Sequence, residues 1–147
     1  MLRALKRIFD PADAPAVPAH ERRHLQVPVA VLLHEARRSD YAEGDTESDV
    51  ALRALAGIFG LQAQEAAAIL DEGRAKAGQL TSFYAPLSVI KRDFSLEERI
   101  LLVEHLWRIS FADGQLNLYE DHFVRKIAHL LHVPNTQSML ARNRARA

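Results

Sequence analysis

From Glu21 onward, apolar residues return every three or four positions almost without a break, the period of an amphipathic helix. Val29, Leu32, Leu33 and Ala36 make one face of a first helix, with Pro28 tolerated near its start. A second carries Ala51, Leu52, Leu55, Ile58 and Phe59 and stops at Gly60, placed to act as a left-handed cap. Residues 64–77, rich in Ala and Glu, give a third, closed by Gly78. Phe83, Tyr84, Leu87 and Ile90 place a fourth over about 81–91, interrupted early by Pro86. Ser95-Leu96-Glu97-Glu98 is a capping box that opens the strongest stripe, Leu102, Val103, Leu106, Trp107 and Ile109, which stops at Asp113-Gly114. Asn117 and Glu120 repeat the capping spacing ahead of Val124, Ile127, Ala128 and Leu131. Pro134 ends that helix, and a short last one runs into a basic tail, Arg142, Arg144 and Arg146. No run alternates as a strand would. The expectation is an all-α fold of about seven helices.

Two stretches read alike, residues 34–61 and 104–133. Each runs helix, acidic turn with a glycine, acidic helix start, then an apolar helix ending in a bulky pair, Ile58-Phe59 or Leu130-Leu131. Asp40 and Glu47 are seven apart, as are Asp113 and Glu120. Duplication of a helical hairpin accounts for this, because one hairpin cannot bury its apolar face alone. The bundle is therefore expected to hold two pseudo-repeated helix–acidic turn–helix units in one compact body.

The start of the chain differs. Leu2, Leu5, Ile8 and Phe9 fall at helical spacing among Arg3, Lys6 and Arg7, so residues 1–9 form a short basic amphipathic segment. It suits a membrane-surface or partner anchor, or else a frayed terminus or a strip that folds back on the core, since so short a helix is marginal alone. Residues 10–19 hold three prolines with Ala and Asp and form a flexible linker. The helical domain then spans 20–147.

Composition narrows the function classes. Lys and Arg number 19 against 19 Asp and Glu, so no bulk field draws in nucleic acid, and weak homo-oligomers meet little charge repulsion. Cysteine is absent, which excludes disulfides and thiol chemistry and fits a cytoplasmic protein. No apolar run reaches the ~18 residues of a membrane span.

The acidic turns carry the candidate chemistry. At about 100° per residue, Asp113 projects with Leu106 and Ile109, and Glu120 with Ile127 and Leu131. Asp40 lies on the face of Leu33 and Ala36, and Glu47 near the margin of its stripe. Inward carboxylates need a donor, a proton or a metal. One reading makes them caps: Asp113 for the amides of the next helix, Glu120 as capping partner of Asn117. The other is an oxygen-only cation site of Asp113, Asn117 and Glu120, with Asp121 as a further donor, suited to Ca²⁺, Mg²⁺ or Mn²⁺. The run lacks the alternating acids of an EF-hand.

Leu106-Trp107, Ala112-Asp113-Gly114, Glu120 and Ile127-Ala128-x-Leu130-Leu131 resemble the signature of the tellurite-resistance protein B (TerB-like) family. Leu32-Leu33-x-Glu35 and Phe59-Gly60-Leu61 are similar to its first repeat. The resemblance covers about residues 25–145. It implies two pseudo-symmetric helical halves whose acidic turns gather on one side to bind divalent cations, and an association with tellurite resistance and stress response. Carried over by position, the implied ligands are Asp113 and Glu120, and more weakly Asp40 and Glu47. The first repeat departs from the pattern, with Tyr41 after the Asp and its glycine displaced to Gly44.

His122, His129 and His132 lack the spacing of a zinc or di-iron site and read as a solvated polar face. No nucleophile elbow or phosphate loop is present. The expected function is a non-enzymatic TerB-like module that binds a divalent cation or a protein partner through its acidic turns. The alternative is a metal-free interaction scaffold, tethered to a membrane surface by residues 1–9.

Overall fold

Seven α-helices and no strand occur among the residues that the computed structural model describes, 22–38, 45–112 and 118–146. They are α1 (Arg23–Arg38), α2 (Asp45–Phe59), α3 (Ala63–Ala77), α4 (Tyr84–Asp93), α5 (Leu96–Phe111), α6 (Leu118–Leu130) and α7 (Asn135–Arg146). The first two segments of the chain, residues 1–9 and 10–19, lie outside the described residues. No described helix is long and apolar enough to cross a membrane.

Two helix pairings organise the bundle, α1 on α3 and α5 on α7, with α1 also touching α2, α4 and α5. Helix α1 is central because its apolar face wraps far round. Leu25, Val29, Ala30, Val31, Leu32, Leu33 and Ala36 are all buried. Its partner α3 has few bulky apolar residues and buries a stripe of small ones instead, Ala66, Gly73 and Ala77 with Leu70. Small side chains let two helix axes approach closely, and Gly73 lies directly against the backbone of Ala30 and Val31. From α5, Leu102, Val103, Leu106, Trp107 and Ile109 complete the core, the stripe expected from their spacing.

Local chemistry sets the helix ends. Ser95 and Glu98 form the expected reciprocal cap: the Glu98 N–H donates to Ser95 Oγ at 3.2 Å, and the Ser95 N–H to Glu98 Oε1 at 2.8 Å. The other oxygen of Glu98 accepts from Arg22 at 2.6 Å, and Arg22 also lies over the Phe94 ring. Beside it, Asp93 accepts from Arg92 and from His24, and these bonds hold its carboxyl well below the usual carboxylate range. The start of α1 is thereby pinned to the α4–α5 junction. Helix α4 begins at Tyr84, later than the expected 81, which puts Pro86 in its first turn, where the missing N–H costs nothing. Pro28, by contrast, stands inside α1, at its sixth position and not near its start.

Helices α2 and α6 end alike. The Leu61 N–H donates to the Ala56 carbonyl at 3.0 Å, and the Val133 N–H to the Ala128 carbonyl at 2.9 Å. In both, the residue before the donor is left-handed: Gly60 at φ 67°, as predicted, and His132 at φ 58°. Sequence repeat and backbone thus coincide, but the second copy has a histidine in the conformation that favours glycine. Arg99 braces this turn, donating to the Leu131 carbonyl at 2.7 Å. Replacing His132 by glycine relieves the left-handed strain and is expected to stabilise the fold by roughly 1 kcal/mol, read as a higher urea midpoint at unchanged slope.

The last helix corrects the sequence reading. The helix is short, as expected, but the arginines read as a tail beyond it belong to it, and Arg142 and Arg144 face α6 and α5. Arg144 pairs with Glu104 at 2.6 Å, and the Arg142 guanidinium sits 5.5 Å from the centroid of the Trp107 ring and 5.8 Å from that of Phe111. These arginines dock the helix.

Candidate functional site

Of the five residues expected to bind a cation, Glu120 alone has its side chain among the described residues. Asp113, Asn117 and Asp40 lie outside them. Glu47 falls in the first turn of α2, with its side chain outside the described residues. Glu120 occupies the first turn of α6 and is fully buried, at 0% exposure. That agrees with the rotation that puts it on the side of Ile127 and Leu131, exposed 1% and 0%. At the facing end of α5, Ser110 is also fully buried and donates to the Leu106 carbonyl at 3.0 Å.

Asp121, raised as a further ligand, is engaged elsewhere. It accepts from Arg125 one turn on at 2.7 Å and faces Arg142 of α7 at 3.6 Å. Two guanidinium groups neutralise it, so it does not serve as a free donor to the turn. Among the described residues, no three His, Cys, Asp or Glu side chains converge as metal ligands do.

Two ionisable groups on α5 escaped the sequence reading. Glu104 is buried, 7% exposed, and is bridged by Arg108 at 2.6 Å and Arg144 at 2.6 Å. Its i, i+4 spacing to Arg108 was legible; the partner 40 residues away was not. His105, next to it, has its pKa pushed down to about 4. Burial is the main cause and the Arg108 charge adds to it, against an opposing pull from Glu104.

The expected polar face of α6 is exposed, but it is also one wall of a groove. Helices α4 and α6 both rest on α1 without packing extensively on each other, and the gap is a cleft of about 660 Å³. Phe83 and Phe123 meet edge to face across it, ring centroids 6.3 Å apart. Leu87 and Ile127 line its apolar wall, Lys91 and Lys126 its rim, and Glu35, 8% exposed, its floor. Sequence periodicity located each wall but not their juxtaposition.

The described residues define an all-helical bundle with a buried acid in the first turn of α6. The chain belongs to the tellurite resistance protein TerB family, whose model matches residues 26–143. No curated protein and no solved structure gives a match.

Proposed function

We propose that this chain is a binding module, not a catalyst, and that its second acidic turn holds a divalent cation of the Ca²⁺, Mg²⁺ or Mn²⁺ type. Glu120 would be the buried ligand, with Asp113 and Asn117 completing an oxygen-only set. Asp40 and Glu47 would form a weaker counterpart, since the glycine of their turn is displaced. Tellurite resistance or stress response is the process that family membership suggests.

The burial of Glu120 carries this reading. A carboxylate held out of water in a first helical turn, seven residues past Asp113 and three past Asn117, is placed as an interior oxygen ligand and not as a surface acid. Hard oxygen donors without sulfur or imidazole favour the alkaline-earth ions and Mn²⁺ over Zn²⁺.

Titration of the full chain with each ion, followed by calorimetry and by amide NMR, tests it. Saturable binding with shifts centred on Glu120 is expected, weakened at least about tenfold in Asp113→Asn because one ligand charge is lost. Absence of both heat and shifts at millimolar metal would mean that the acids act as helix caps.

A further inference from the structure

We propose that the groove between α4 and α6 is a docking site for an acidic amphipathic helix of a partner protein. Glu120 does not line it, and it does not depend on a cation at the acidic turn.

Shape is the first argument. The walls are the two helices, α1 is the floor, and the Phe83–Phe123 contact bridges the walls. From His122 to Leu130 the α6 wall runs about 12 Å, long enough for two to three turns of a docked helix. An amphipathic helix enters such a groove through apolar residues at i, i+3 or i+4, and i+7. Two of the five large apolar side chains exposed among the described residues stand here, Tyr84 at 78% and Leu130 at 41%. An exposed tyrosine beside an apolar trough is the kind of residue that dominates binding energy at interfaces.

Charge selects the occupant. Lys91, Lys126, His122, His129 and His132 line the groove, while its one carboxylate, Glu35, is buried at the floor. The chain has no net charge, so this local excess is a property of the face, not of the protein. Lysines on both walls match Glu or Asp flanking the apolar stripe of an incoming helix. A basic partner is excluded by the same rim.

Backbone strain is the second, independent observation. His132 lines the groove and holds a left-handed conformation that glycine adopts in the equivalent cap of the first unit. An imidazole kept at a position where its own backbone is disfavoured, and braced there by Arg99, contributes something other than stability. At the lip of this groove it adds a hydrogen-bonding ring facing the acidic side of the ligand.

The test uses the full chain in EDTA, so that a failure of cation binding does not affect it. The probe is a fluorescein-labelled peptide of about four turns, with Leu and Phe at i, i+3, i+4 and i+7 and Glu at the flanking positions. Saturable anisotropy is expected, with amide shifts at Tyr84, Leu87, Lys126, Leu130 and His132. Lys91→Glu with Lys126→Glu, both exposed, should weaken binding at least about tenfold at unchanged circular dichroism. His132→Gly should also bind more weakly while folding more stably. The same peptide with Lys for every Glu should not bind. Equal binding of the two peptides, shifts away from the groove, or no saturation at millimolar peptide each overturns the proposal. So do phosphatidylglycerol vesicles that shift these amides where the peptide does not, which would make the face a lipid-binding surface.

Discussion

Alanine at position 73 is expected to lower the thermal midpoint by roughly 2–8 °C, although glycine-to-alanine changes inside helices ordinarily stabilise. A Cβ built on Gly73 falls 2.6 Å from the Ala30 Cβ, 2.8 Å from the Ala30 carbonyl carbon and 3.0 Å from the Val31 nitrogen. The last two are backbone atoms in the middle of α1, which cannot rotate aside. The helices must separate, and α1 is the element on which α2, α3, α4 and α5 all rest. Overpacking costs about 1–3 kcal/mol, and a clash with backbone lies in the upper part of that range. So about 1–2 kcal/mol is lost after the ~1 kcal/mol that the better helix former returns. Gly57 supplies the contrast: nothing lies within 4 Å of its Cβ position, so Gly57→Ala should gain about 0.5–1 kcal/mol. Thermal unfolding of the two variants beside wild type decides the point. A stabilised Gly73→Ala would mean that α1 and α3 are not in close contact.

Acidification from pH 7 to pH 4 is expected to cost as much as about 3 kcal/mol through His105 alone. Its pKa falls from 6.5 in the unfolded chain to about 4 in the folded one. Above pH 6.5 the ring is neutral in both states and contributes nothing to the pH dependence. Between 6.5 and 4 the unfolded chain takes up a proton here that the folded chain refuses, so unfolding gains as pH falls. Below about 4 both states are protonated and the loss is complete. His105→Gln removes the imidazole, so urea unfolding of wild type and variant at steps between pH 7 and pH 4 should converge or cross as pH drops. Parallel curves would show that His105 is solvated and protonates freely in the folded protein.

These two effects expose the limits of the linear pattern. In sequence, Gly73 is an indifferent residue in an Ala-rich helix, and His105 one polar position beside the α5 stripe. Each acquires its weight from the fold: the α1 backbone in one case, withdrawal of the imidazole from water in the other. The candidate cation site was legible further. Helical rotation alone turned Glu120 toward Ile127 and Leu131, and its side chain is buried there. Asp121 shows where such counting stops, because the guanidinium of Arg142 that faces it comes from another helix.

What the chain determined by itself is local: the seven helices of the described residues, the reciprocal cap at Ser95 and Glu98, the left-handed stop at Gly60, and the inward set of the α6 acid. Each follows from periodicity or from groups three to five residues apart, whose geometry the helix dictates without reference to the rest of the molecule. Tertiary structure alone decided that Arg144 reaches Glu104, that α3 packs by its small residues, and that α4 and α6 stand apart over α1 with lysines on both walls. Those outcomes depend on helix-to-helix distances, and distances between elements are set by the volumes of all the side chains between them, which no single stretch of sequence contains.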